Sequence, residues 1–81
     1  MPIIRVLSRG QVRAARGFVG WSIRDLAERS GVAVNTISRF ENGTADAQME
    51  TLLKIQTTFE DAGVTFPDGF TVSFRQVAEK A

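Results

Sequence analysis

The chain has 81 residues, of which 43% are hydrophobic and 23% are charged. At this length a single domain over residues 1–81 is expected, because two cores could not each bury enough apolar surface. The composition is close to the globular average, and no apolar run approaches the roughly 20 residues that span a bilayer. We therefore expect neither a disordered chain nor a membrane protein, and the lack of an apolar leader segment predicts a cytoplasmic location.

Catalysis and metal binding lack their usual side chains. The chain contains no histidine, no cysteine and no tyrosine. Enzymes take most of their general bases, nucleophiles and metal ligands from these residue types. The composition therefore predicts a protein that is not an enzyme and that has no metal and no cofactor.

The formal net charge of +1 conceals a division along the chain. Residues 1–39 carry seven arginines and two acids, a net charge of +5, whereas residues 40–81 carry three basic and seven acidic residues, a net charge of −4. Such asymmetry is typical of a protein whose basic half meets a polyanion. An uneven distribution of solvated surface charges explains the same asymmetry. Charge alone therefore does not decide between this explanation and polyanion binding.

A capping box formed by Ser8 and Gln11 opens the first predicted helix, which runs from about residue 9 to residue 19. Its apolar residues recur at helical spacing: Val12, Ala15, Phe18 and Val19. Arginines at steps of four and three form a basic stripe on another face: Arg9, Arg13 and Arg16. Gly20 is the predicted stop.

Two short predicted helices follow, joined by a glycine turn. Ser22 is the candidate N-cap of the second helix, which runs from residue 23 to about residue 29. Trp21 and Leu26 occupy the two positions of a hydrophobic staple. Gly31 supplies the left-handed conformation that ends this helix.

The third predicted helix contains about nine residues and ends at Asn42 and Gly43. A helix of that length is marginal in isolation, so it depends on packing of Ile37 and Phe40 against its neighbours. Ala33 occupies the cap position and has no side-chain acceptor for the first N–H groups. Water or a ligand phosphate is the expected partner of those donors.

A fourth helix and a β-hairpin complete the predicted fold. The helix runs from about residue 48 to residue 61, with an apolar face that ends at the cap residue Gly63. That face comprises Met49, Leu52, Leu53, Ile55, Phe59 and Ala62. Alternating apolar residues on both sides of Pro67-Asp68-Gly69 predict a hairpin over about residues 64–74: Val64, Phe66, Phe70, Val72 and Phe74. The segments IIRV and RQVAEKA are left without an assignment.

Two helices joined by a short turn, the second presenting polar residues, are typical of a helix-turn-helix over about residues 22–42. The segments WSIRDLAERSGVAVNTISRFENG and METLLKI, within residues 8–62, resemble the lambda-repressor/Cro-like (XRE) family of DNA-binding proteins. The resemblance implies a mainly α fold: a four-to-five-helix lambda-repressor-like domain, here with a C-terminal β-hairpin. The implied base-contacting residues are Val34, Asn35, Ser38 and Arg39. The implied phosphate-contacting residues are Ser22, Arg24, Thr36, Asn42, Arg13 and Arg16.

Side-chain chemistry supports the base-contacting set independently. Arginine pairs with guanine, asparagine pairs with adenine, and an aliphatic side chain such as that of Val34 contacts a thymine methyl group. Taken singly, Arg39 is equally well explained as a solvated surface residue, and Asn35 and Ser38 are better explained in that way. The chain also departs from the family pattern at Ile23, at Ala33 and in the loop TADAQ, which lacks basic residues. These departures predict modest affinity for one subunit.

The expected function is sequence-specific binding of double-stranded DNA by a nucleoid-associated transcriptional regulator. A homodimer on an inverted repeat is expected, with the hairpin as the candidate dimerisation element. The alternative is a protein-interaction module on the same fold, an antitoxin or antiactivator that binds a protein partner through the fourth helix and the hairpin.

Overall fold

The computed structural model describes residues 7–74. Four helices are followed by one antiparallel strand pair. In chain order the elements are α1 (Arg9–Val19), α2 (Ile23–Ser30), α3 (Val34–Glu41), α4 (Met49–Asp61), β1 (Val64–Thr65) and β2 (Ser73–Phe74). The predicted mainly α, lambda-repressor-like fold with a C-terminal hairpin is confirmed. The segments IIRV and RQVAEKA lie outside the described residues.

Both predicted N-terminal caps are present. Ser8 Oγ accepts from the backbone N–H of Gln11, and Gln11 Oε1 accepts from the N–H of Ser8. Ser22 and Asp25 form the same reciprocal pair, each bond 2.9 Å long. Asp25 therefore completes the capping box of α2, although its side chain is shorter than the glutamate or glutamine usual at this position. Gly31 ends α2 in the left-handed region with φ of 80°, as predicted.

The core lies where α1, α2, α3 and α4 meet β1. Its largest fully buried side chains are Phe59, Leu26, Ile37, Ile55, Val12 and Val64. Trp21 stacks on Phe59 with ring centroids 5.4 Å apart, so the tryptophan packs against the core. Phe66 approaches the other side of Phe59 edge-on at 6.0 Å.

Three residues predicted to face the core do not. Met49 is 39% exposed and Leu53 is 49% exposed. They lie one helical turn apart on α4, whereas the core face of that helix is the narrower stripe of Leu52, Ile55 and Phe59. Phe18 is 61% exposed at the end of α1, and its ring pairs with Phe74 at 4.6 Å.

The hairpin is shorter than its alternating sequence predicts. Within residues 7–74 only two residue pairs form, Val64 with Phe74 and Thr65 with Ser73. Residues 66–72 form a loop because the carboxylate of Asp68 accepts the backbone N–H groups of Phe70 and Thr71, each at 2.8 Å. Those N–H groups are then unavailable for pairing between strands.

A buried glutamine anchors this loop to α1. Gln11 is 2% exposed, and its Nε2 donates to the backbone oxygens of Asp68 at 2.8 Å and Thr71 at 2.9 Å. The other end of its amide completes the cap of α1. The hairpin therefore packs against the helices, which is what a two-stranded element requires for stability.

Residues 7–74 contain neither a membrane-spanning helix nor a cluster of metal ligands. No helix there combines the length and the apolarity needed to cross a membrane. No group of carboxylates in the same residues is arranged to hold a metal ion.

Candidate nucleic-acid interface

The turn between α2 and α3 is fixed by local hydrogen bonds. The N–H of Gly31 donates to Ala27 O at 2.9 Å. The hydroxyl of Ser30 donates to Leu26 O at 2.7 Å and accepts the N–H of Val32 at 3.2 Å. Val32 itself is buried. These contacts set the angle at which α3 leaves α2.

The helix α3 has one buried and one exposed side. Ile37 is fully buried, and Phe40 packs half-buried against the core. The exposed residues of α3 are Val34, Asn35, Thr36 and Arg39, and the helical period places Asn35 and Arg39 opposite Ile37. Ser38 is half-buried at the border. Of the four residues predicted to contact bases, three are thus exposed, although Val34 only to 42%, and Ser38 is partly covered.

An ion pair locks the C-terminal end of α3 to α1. Glu41 is 3% exposed, and its carboxylate accepts from Arg16 Nε and Nη2, both at 2.7 Å. These hydrogen bonds raise the pKa of Arg16 above its ordinary value, although partial burial opposes the rise. The guanidinium of Arg16 therefore stays charged at neutral pH. Arg16 Nη1 also donates to Trp21 O at 3.0 Å.

This arrangement gives Arg16 a structural role. All three of its guanidinium nitrogens already donate to protein oxygens. The guanidinium is therefore held within the protein by Glu41 and Trp21. Arg13 is placed differently: it is exposed, and its Nη1 donates to Glu41 O at 2.8 Å beside the end of α3.

The remaining predicted phosphate contacts lie at helix ends around α3. Asn42 follows the helix, and its Oδ1 accepts from the N–H and hydroxyl of Thr44, which leaves the amide N–H groups as donors. Thr36 and Arg24 are exposed in the first turns of α3 and α2. Ser22 is also exposed, at the cap of α2.

The N-termini of α2 and α3 differ in their electrostatics. Asp25 lies in the first turn of α2, and hydrogen bonds from the Ser22 backbone and then its side chain lower the pKa of this carboxylate. Its negative charge partly compensates the helix dipole there. The first turn of α3 contains no acid and its cap residue Ala33 makes no side-chain hydrogen bond, so α3 offers the better anion site of the two.

Sequence reasoning missed the buried role of Glu41. The spacing contained a signal, because Glu41 lies four residues after the core residue Ile37 and so falls on the same face of the helix. An acid on a buried face requires a cationic partner. The arginine stripe of α1 contains the partner, Arg16.

Comparison with known proteins agrees with this geometry. A family model described as a helix-turn-helix matches residues 12–60, more than half of the chain. The matched segment begins inside α1, contains the whole of α2 and α3, and ends one residue before the end of α4. No curated protein gives a match.

Proposed function

The chain belongs to the lambda-repressor/Cro-like (XRE) family of helix-turn-helix DNA-binding regulators, and from this premise we propose that it controls transcription by reading a specific operator with α3. The observation that supports the proposal is that α3 packs against the protein on one side and is exposed to solvent on the other. Ile37 and the Arg16–Glu41 pair hold one side. The other side presents hydrogen-bonding side chains to solvent.

The proposed mechanism places α3 in the major groove. Arg39 is exposed, and its side chain forms no ion pair or hydrogen bond within residues 7–74, so its guanidinium is available to a guanine edge. Asn35 is available to adenine in the same way, and Val34 suits a thymine methyl group. Ser38 completes the proposed base-contacting set from its half-buried position.

Phosphate contacts would fix the protein on the duplex. The proposed set is Ser22, Arg24, Thr36, Asn42 and Arg13. The uncapped N–H groups of α3 add backbone donors, which suit a phosphate because the helix dipole favours an anion at that end. Such contacts set register and orientation and carry no sequence information of their own.

We propose a homodimer on an inverted repeat, with half-sites about one helical turn apart. Support comes from exposed aromatic side chains in the C-terminal part of the fold, here together called the hairpin patch: Phe18 and Phe74, whose rings pair at 4.6 Å, and Phe70, which lies in the loop of residues 66–72. Phe70 is 93% exposed, and the other two rings are about half exposed. Three exposed aromatic rings are typical of a surface that another protein covers.

The direct test is selection of bound sequences from a random pool of duplex DNA. We expect an inverted-repeat motif for the wild type. Arg39→Ala is expected to cost about 1–3 kcal/mol on that motif and to relax the preference at one base pair, because one bidentate base contact is removed. An equal loss of affinity on random DNA would show that Arg39 contacts only phosphate.

The dimer is tested by sedimentation equilibrium of Phe70→Glu. This residue is almost fully exposed, so the substitution leaves the monomer folded but places a charge in the hairpin patch. We expect a monomer that binds the full operator more weakly. Leu53→Glu is the matched control, since Leu53 is an exposed apolar residue on α4. A variant Phe70→Glu that remains dimeric would contradict the assignment of the interface.

A second candidate function has support from the outer surface of α4. Met49 and Leu53 are exposed in an open groove with Arg29, Glu50, Lys54 and Asp61 along its sides. A protein partner bound there would make the chain an antitoxin or antiactivator on a DNA-binding fold. The salt dependence of complex formation separates the two functions, because phosphate contacts weaken by about 0.9 log units each per log unit of salt.

A further inference from the structure

Arg9 lies against the turn that follows α3. A Cβ atom added to Gly43 would lie 3.0 Å from Arg9 Nη1 and 3.1 Å from Arg9 Cζ, so the guanidinium rests directly on the glycine. Arg9 is exposed, and among residues 7–74 it has no hydrogen-bond acceptor and no ion-pair partner. Asp46 lines the same small pocket without forming an ion pair with it. The guanidinium is thus held over the turn while its donors stay unused in this part of the chain.

The positive charge of Arg9 is electrostatically unfavourable for α1. Arg9 is the first residue of α1, and the first turn of α1 contains no acid. The N-terminal end of a helix carries a partial positive charge, so a cation there is destabilising. Helix stability therefore does not explain why an arginine occupies this position.

The turn itself lacks positive charge. Residues 40–48 contain no lysine and no arginine, and their two acids are the buried Glu41 and the exposed Asp46. The donors nearest to the end of α3 come from α1 instead. Arg13 bonds to Glu41 O, and one helical turn earlier Arg9 covers Gly43.

We propose that Arg9 binds a DNA backbone phosphate beside the turn of residues 42–44, where it replaces the basic residue that the loop lacks. The inference rests on the proposed function, since it requires α3 to face DNA. Arg9 would continue the line of donors that begins with the amide of Asn42 at the end of α3. Because phosphates are the same at every base pair, this contact adds affinity without specificity.

The test compares Arg9→Gln with Lys54→Gln, which removes the same charge from the outer surface of α4. Binding to random duplex DNA and to the selected operator is measured over a range of salt concentrations. For Arg9→Gln the slope of log affinity against log salt is expected to shrink by about 0.9, with roughly tenfold weaker binding near 0.1 M salt on both DNAs. Lys54→Gln should keep the wild-type slope, and Arg9→Lys should restore it.

A second readout separates phosphate binding from a structural role. Removal of a cation from the first turn of α1 should leave the thermal midpoint of Arg9→Gln equal to or above that of the wild type. Weaker DNA binding together with an unchanged or higher midpoint supports the inference. A slope that is unchanged in Arg9→Gln, or reduced equally in Lys54→Gln, overturns it and leaves the proposed function intact. A wild-type protein that binds neither DNA overturns both.

Discussion

The three helices of the DNA-binding region are stabilised at their ends in two different ways. Both α1 and α2 have complete capping boxes, so short-range hydrogen bonds satisfy the first N–H groups of each helix. The cap residue of α3 is Ala33, which supplies no side-chain bond, and the helix is held at its other end by the pair between Glu41 and Arg16 of α1. The helix proposed to read DNA thus depends on contacts with its neighbours, and its N-terminal donors remain available to a ligand.

The largest expected loss of stability comes from removing the ion pair between Glu41 of α3 and Arg16 of α1. Glu41→Ala leaves the partly buried guanidinium of Arg16 without its carboxylate, and loss of one partner of a buried pair costs about 3 kcal/mol or more. Urea unfolding should show a lower midpoint with little change in slope.

Two control variants complete that experiment. Glu41→Gln keeps one oxygen acceptor for Arg16 and should recover part of the stability. Glu50→Ala removes an exposed acid of α4 and should change stability by no more than about 0.5 kcal/mol. If Glu41→Ala behaves like Glu50→Ala, α3 does not depend on the ion pair.

An intermediate effect on stability is expected from substitutions at the N-cap positions of α3 and α2. Ala33→Ser supplies an acceptor for the N–H of Thr36 and should stabilise the protein by about 1 kcal/mol, whereas Ser22→Ala should cost about the same amount by removing the cap of α2. For a domain of this size, about 1 kcal/mol moves the thermal midpoint by about 4–8 °C. Calorimetry that shows no gain for Ala33→Ser would mean that the N-terminus of α3 is already satisfied.

The smallest expected effect is a pH dependence in the cap of α2. Hydrogen bonds with Ser22 lower the folded-state pKa of Asp25 below its ordinary value of 3.8. The contribution of Asp25 to folding stability is therefore present above that value. The contribution is lost as the pH falls through the lowered pKa. Unfolding midpoints of the wild type and Asp25→Asn should therefore differ at neutral pH and converge in acid. A difference that does not change with pH would contradict this assignment.

Local signals explain how much of the fold was predictable. The four helices were predicted close to their observed ends because capping boxes and stop residues such as Gly20 and Gly31 act within a few positions of the chain. The shorter strand pair was not predicted, because it depends on the carboxylate of Asp68 capturing two nearby N–H groups. Periodicity alone does not reveal that competition.

Long-range contacts explain what the sequence did not reveal about the candidate site. The exposed positions of Asn35 and Arg39 follow from the helical period, which places both opposite the buried Ile37. The pairing of Arg16 with Glu41 joins residues that are 25 positions apart, and three arginines of α1 were equal candidates. Only the way α1 crosses α3 separates Arg16, which holds the helix, from the exposed Arg9 and Arg13.

The double engagement of Gln11 makes the beginning and the end of the fold interdependent. One side-chain amide closes the first turn of α1 and also binds two carbonyl groups of the loop at residues 66–72. Opening that loop would leave the buried amide with unsatisfied donors, so fraying of α1 and release of the hairpin should form one cooperative event in hydrogen exchange. A molecule that reshaped the loop would then also loosen the turn of α1 that carries Arg9.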